Sequence, residues 1–217
     1  MIIKDLKKRM FTSIFLLTIF LLIFKFNLIL VLSLLILGVF SLIEFLNLIN
    51  KIIKNKIYFL ISTIFFSIYV FSFCIIFFLF ANIIQLKIIL FSLLLCCVAS
   101  DIGGFFFGKI LKGPKLTSIS PNKTIAGAFG SIIFSILFFS GSLLAIIKDF
   151  NFIFIVIAIT TSIACQSGDL FFSYLKRKAK MKDTGKFLPG HGGVLDRLDG
   201  IFLGMPLGFV SFILLIK

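Results

Sequence analysis

Residues Ile57–Phe80 read IYFLISTIFFSIYVFSFCIIFFLF and contain no charged side chain. A helix rises about 1.5 Å per residue, so a run of this length covers the roughly 30 Å hydrocarbon core of a bilayer. Its apolar residues fall on every side, leaving no polar face for water, which is the pattern of a helix buried in protein or lipid. Similar runs flank it. The whole chain of 217 residues is 60% hydrophobic and 14% charged, where soluble domains hold about 25% charged residues. A soluble enzyme, a disordered chain, a collagen-like repeat and a secreted disulfide scaffold are excluded. The expected fold is all-α: a polytopic integral membrane helical bundle of about seven transmembrane spans, forming one membrane domain over residues 1–217.

The spans are placed at Met10–Phe24, Phe26–Ile49, Ile57–Phe80, Leu86–Gly108, Ile125–Ile147, Phe150–Leu175 and Asp199–Ile216. The first is short. It could instead form a re-entrant pair with the second, with a turn near Lys25. Basic residues before an apolar run also suit a signal peptide, but no small-residue cleavage site follows, so the segment is read as retained. No internal repeat, low-complexity linker or second domain is found. The 32 Phe against no Trp fit the bias of an AT-rich genome and carry no function.

Net charge is +14. In a soluble protein this would suggest nucleic acid, but basic residues collect on the cytoplasmic side of membrane proteins. Of the 22 Lys and Arg, all but Lys25, Lys87, Lys148 and Lys217 lie on one side of the predicted spans. That asymmetry predicts a cytoplasmic N-terminus, cytoplasmic loops about 109–124 and 176–198, and an external C-terminus. It describes a multi-pass protein of the cell (inner or plasma) membrane with no nucleic-acid partner. Cys74, Cys96, Cys97 and Cys165 lie in apolar runs without CxxC spacing and read as small buried hydrophobes.

The eight acidic residues are unevenly spread. Asp5 and Asp149 read as interfacial charges. Glu44 lies near the cytoplasmic end of the second span, where it can snorkel or pair. The other five, Asp101, Asp169, Asp183, Asp196 and Asp199, crowd around the two long loops. An aspartate inside a span costs about 2.5–3.5 kcal/mol on insertion scales and is a functional candidate by default. A buried acid paired with a nearby Lys or Arg is the bland alternative. Asp196 and Asp199, three apart, share a helix face. With Asp169 from the preceding span they could form a three-carboxylate cluster whose repulsion a divalent cation would relieve. All-oxygen ligands favour Mg²⁺. Asp169, Ser173 and Lys176 form one polar stripe if the sixth span stays helical to its end. The loop KILKGPKLTSISPNKT, Lys109–Thr124, offers hydroxyls from Thr117, Ser118, Ser120 and Thr124, and cations from Lys115 and Lys123. A helix N-terminus beside Lys suits phosphate, although Thr124 alone would serve as an N-cap. The second loop carries PGHGG at Pro189–Gly193, whose glycines let backbone approach a ligand around the single histidine, His191.

Ser173–Asp199 reads SYLKRKAKMKDTGKFLPGHGGVLDRLD and is similar to the signature of the phosphatidate cytidylyltransferases, or CDP-diacylglycerol synthases. The shared elements are Ser173, Lys176–Arg177, Lys182–Asp183, Gly185, Pro189, His191–Gly193, Asp196–Arg197 and Asp199. Upstream, Gly168–Asp169 matches that family's GD. Ala99–Asp101 with Gly103–Gly104 and Gly108–Lys109 resembles its SD-rich segment, and Ser120–Pro121 with Lys123–Thr124 its SPKKT. Glu44 also fits. Two departures stand out: Asn122 replaces a usual lysine, and Ala126 stands where a glutamate is common. The chain is also short for the family, with fewer spans expected before Asp101.

The resemblance implies transfer of the cytidylyl group of CTP to phosphatidate, giving CDP-diacylglycerol and pyrophosphate, with Mg²⁺ as cofactor. It implies catalytic roles for Lys123, Lys176, Arg177, Lys182, His191 and Arg197. Substrate contacts are expected from Asp101, Ser120, Pro121, Thr124, Ser173, Asp183, Gly192 and Gly193, and metal ligation from Asp169, Asp196 and Asp199. A homodimer is kept among the partners. The chemistry is consistent with the residues. A phosphate monoester's second pKa is about 6, so the nucleophile is ionised without a general base, and positioning with cations supplies the catalysis. Three rivals remain: a transporter using the intramembrane aspartates, activation of another lipid phosphate, and a structural subunit. PGHGG followed by DRLD disfavours the transporter, and the clustered acids disfavour the subunit.

Overall fold

The computed structural model describes residues 18–148, 150–185, 187 and 192–215. These are overwhelmingly helical. Six long helices follow one another: α1 (Asn27–Ile52), α2 (Lys56–Ala81), α3 (Ile84–Leu111), α4 (Ile125–Ile147), α5 (Phe152–Lys178) and α6 (Leu195–Leu215). Each is long and apolar enough to cross a membrane. Residues 18–25 are also helical and meet α1 at Phe26, whose extended backbone (φ −118°, ψ 112°) breaks the helix. The start of the first predicted span, at Met10, lies outside the described residues. The protein is an integral membrane protein, and its apolar surface agrees. Phe65, Phe105 and Phe152 are more than 70% exposed, while Ser100, Ser135, Thr161 and Ser162 are fully buried.

Within the single membrane domain expected, the chain packs as two compact units. One runs to Asn82 and includes Leu175–Leu198; the other comprises Ile83–Tyr174 and the chain from Asp199. In the first unit α1 and α2 meet through Gly38, where an added methyl would touch Cys74 and Val70. Phe45 stacks on Phe66 with ring centroids 3.8 Å apart. Asn55 opens α2 by accepting from the Ile57 N–H.

The second unit is held by small residues. Lipid tails are as apolar as leucine, so helices in a membrane associate through close packing and interhelical hydrogen bonds. Gly103 of α3 faces Gly130 and Phe134 of α4, and Gly104 faces Ser131, too close for a Cβ on either glycine. The glycines that sequence analysis read as part of a signature therefore also set the α3–α4 contact. Gly200, Gly204 and Gly208 recur every fourth residue along α6. They lie against Cys165 and Thr161 of α5 and Cys97 and Leu93 of α3. Serines join the same helices. Ser131 donates to the Ser100 carbonyl (2.7 Å) and Ser135 to that of Cys96 (3.2 Å). The Ser100 and Ser162 hydroxyls meet at 2.9 Å, and Gln166 donates to Ser162. Such bonds average about 0.6 kcal/mol in a membrane, so their number matters more than any single one.

Candidate active site

Three helix ends differ from the expected ones in ways that matter for the site. Helix α3 continues to Leu111, α5 to Lys178, and α6 begins at Leu195 rather than Asp199. Asp196 and Asp199 thus both lie in the first turns of α6, and the second loop shrinks to residues 179–194. The polar stripe on α5 is formed: α5 stays helical through Lys178, and Ser173 Oγ donates to Asp169 Oδ1 at 3.4 Å.

The loop between α3 and α4 is a small antiparallel turn. Lys115 and Thr124 form a β-bridge. The Leu116 N–H donates to the Lys123 carbonyl (2.7 Å), and the Ile125 N–H to that of Pro114 (3.1 Å). Lys112 and Gly113 turn the chain out of α3 with φ of 50° and 106°, the second in a region that glycine enters freely. At the tip, Ser120 N–H donates to Thr117 Oγ1 (3.3 Å) and Lys123 N–H to the Ser120 carbonyl (3.0 Å), with Pro121 and Asn122 exposed between. Thr124 caps α4 by accepting from the Gly127 N–H at 3.1 Å. This backbone pairing fixes Lys123 just before the helix, and its ammonium forms an ion pair with Asp169 Oδ2. Asp169 sits where α5 passes Asp199, because Gly168 leaves no room for a Cβ beside the Asp199 carbonyl.

The second loop is organised by carboxylates. Asp196 Oδ2 accepts from the backbone N–H of Thr184 (2.8 Å) and of Gly193 (3.0 Å), and its Oδ1 accepts from Lys176 Nζ (2.8 Å). Gly192 turns with φ 86°; a Cβ there would lie 3.1 Å from Asp196 Oδ2. Behind them stands Glu44 of α1, 6% exposed. It accepts from Thr184 Oγ1 (2.7 Å) and from the Val194 (3.0 Å) and Leu195 (2.9 Å) N–H groups. The sequence alone lets Glu44 snorkel or pair. Its observed partners are the Thr184 hydroxyl, the Val194 amide just before α6 and the Leu195 amide at its start, near the positive end of the helix dipole.

The remaining expected residues lie as follows. Asp101 is on α3 one residue beyond buried Ser100, with Cys165 Sγ 4.0 Å from its Oδ1. Lys182, Asp183 and Arg197 are exposed, and Arg177 donates to the Met181 carbonyl at 3.5 Å. Asp199 is buried and accepts from its own neighbour's amide, Gly200 N–H, at 2.9 Å. His191 and Pro189 lie outside the described residues. Among the described residues no three His, Cys, Asp or Glu are gathered so as to hold a metal ion; Asp169 and Asp196 each hold a lysine instead. Thr184 is a site residue that the sequence does not single out, and Glu44 is singled out without its loop partners. Thr184 follows Lys182–Asp183 directly, and Glu44 is the one acid in its apolar run, which was the available signal.

The chain is similar to known proteins. A phosphatidate cytidylyltransferase of Helicobacter pylori is 48% identical over an alignment covering 52% of this chain and 42% of that protein. One from Staphylococcus epidermidis is 40% identical, covering 56% and 47%, and one from Rickettsia felis 41%, covering 54% and 56%. The chain spans about half the length of the curated relatives it matches. The Cytidylyltransferase family as a whole matches residues 3–215. With that match over nearly its full length, the chain belongs to the cytidylyltransferase family.

Proposed function

We propose that the chain transfers the cytidylyl group of CTP to phosphatidate, releasing pyrophosphate. The observation that carries this reading is the pair of lysine–aspartate contacts, Lys123 to Asp169 and Lys176 to Asp196. In each, a lysine from the family-like motifs meets an aspartate of a membrane-spanning helix, so phosphate-seeking cations and cation-seeking carboxylates occur side by side. The phosphate oxygen of the lipid attacks the α-phosphorus of CTP. A P–O bond forms at the α-phosphorus, the bond from that phosphorus to the α,β-bridging oxygen breaks, and its electron pair leaves on that oxygen with pyrophosphate. The attacking oxygen is already ionised near neutral pH, so no proton-abstracting side chain is required. Two polyanions must instead be brought together, which calls for fixed positive charge. Lys123, Lys176, Arg177, Lys182 and Arg197 supply it, with His191, Ser120, Thr124, Ser173 and the Gly192–Gly193 backbone as polar contacts.

Mg²⁺ belongs to the same proposal. By donor type the residues suit it: Asp169, Asp196 and Asp199 each offer carboxylate oxygens, the ligands a hard divalent cation takes, although among the described residues no three such groups are gathered around one point. Asp169 and Asp196 already attract a cationic group each. Bound to such carboxylates, the ion would offset the charge of the phosphates. The basic residues of both loops favour their cytoplasmic placement in the cell membrane, the side on which CTP is found.

Purified protein in detergent, given labelled CTP, phosphatidate and Mg²⁺, should move label into the lipid fraction. Excess EDTA should abolish the transfer. Label that stays aqueous, or that moves only with another lipid phosphate, would overturn the substrate assignment; full turnover in EDTA would overturn the metal. A cysteine placed at Lys112 should react with an impermeant reagent only after the membrane is opened.

A further inference from the structure

We propose that Glu44 is a positioning residue: a buried carboxylate that ties both ends of the second loop to α1 and occupies the anion position at the start of α6. The inference rests on the reading above only in assigning that loop to catalysis. The geometry itself is independent of that reading. Thr184 Oγ1 reaches Glu44 from the loop's first half, and the Val194 and Leu195 amides reach it from the second. These donors come from two chain segments about ten residues apart, and they meet on one side chain far away in sequence. Gly185 and Gly193 lie so close to the carboxylate that a Cβ on either would collide with it. One turn before Glu44 on the same face of α1, Phe40 packs on Phe187, ring centroids 3.7 Å apart. The loop thus rests on α1 through an apolar contact and a charged one.

A carboxylate accepting from the first amides of a helix satisfies donors that otherwise lack partners and meets the helix dipole's positive end. The same amides would otherwise form a ready phosphate site. With Glu44 there, that position is taken by the protein itself, so substrate phosphate must find its cations elsewhere, at Lys and Arg side chains. Glu44 also fixes the direction in which the first turn of α6, with Asp196 and Asp199, leaves the loop.

The test uses the full-length protein in detergent with Glu44→Gln, Glu44→Asp and Thr184→Val. Glutamine keeps the size but puts an amide N–H₂ against an N–H donor and removes the charge. Tryptic cleavage at Lys182 should rise about tenfold or more in Glu44→Gln, because local opening frees its backbone for the protease. Its kcat should fall at least about tenfold while KM for CTP moves less than about threefold, since substrate does not touch Glu44. Glu44→Asp should recover part of both, and Thr184→Val should show a smaller rise in cleavage. Wild-type cleavage and kcat in Glu44→Gln would overturn the proposal, as would a rise in KM alone. If Glu44→Gln yields no monodisperse protein, Thr184→Val decides by the same cleavage readout, with an unchanged rate counting against. The cleavage result stands even if the wild-type protein proves inactive on CTP, so the two readings fail separately.

Discussion

Two lysine–aspartate contacts occupy different kinds of ground. Lys123 and Asp169 keep 26% and 29% of their side chains exposed, and among the described residues Asp169 otherwise receives a long bond from Ser173. Lys176 and Asp196 keep 12% and 9%, and Asp196 is fully engaged, with a lysine on one oxygen and two amides on the other. A partly solvated pair contributes about 0–1 kcal/mol and exchanges partners readily. Removing one partner of a buried pair costs about 3–5 kcal/mol, because the other charge stays behind. The first pair is built to let go of its lysine; the second holds a loop in place.

The largest effect expected from this contrast is in Asp196→Asn. It should lower activity by about a hundredfold or more and also destabilise the loop by about 3 kcal/mol, seen as a lower thermal midpoint and faster tryptic cleavage. Asp169→Asn should lower activity comparably, by about a hundredfold, while leaving the unfolding free energy within about 1 kcal/mol of wild type. On the proposed metal role, raised Mg²⁺ should partly restore the Asp169→Asn rate. Equal stability in the two variants would erase the distinction between a releasable pair and a fixed one. Next in size, Lys123→Ala should cut kcat/KM by at least about tenfold, the loss of one charge-assisted contact of about 1.5–3 kcal/mol. A silent Lys123→Ala would leave its loop with no more than a topological role.

The same contrast shows what could be read from the chain beforehand. The helices were legible because their apolar runs are long enough to span a bilayer, and the Asp169–Ser173–Lys176 stripe followed from helical spacing alone. The start of α6 was misjudged because DRLD looks like loop by hydropathy. A carboxylate from α1 receives the first amides of that helix and lets it begin early. No local pattern encodes a bond between Thr184 and Glu44, 140 residues apart. The Gly200, Gly204 and Gly208 stripe was visible in sequence and has a packing meaning, but spacing alone does not say which helix it faces.

The smallest expected effect concerns Asn122, where the resembled family carries a lysine. Asn122 is exposed at the tip of the first turn, between Ser120, whose carbonyl accepts from the Lys123 amide, and Lys123 itself. Its side chain belongs to no backbone pairing of the bridge, so Asn122→Lys leaves the turn intact. The added ammonium would stand beside a lysine whose charge is already engaged by Asp169. In solvent, repulsion between neighbouring lysines is about 1 kcal/mol or less, and it acts to loosen Lys123 from Asp169. Both consequences favour phosphate: one more cation at the tip, and one more readily released. Asn122→Lys should therefore leave kcat/KM unchanged or raise it by up to about fivefold, with the gain shrinking as salt rises. A loss of activity greater than about twofold would mean that Asn122 itself makes a contact the lysine cannot replace. The releasable pair would then depend on the neighbouring amide as well as on Asp169.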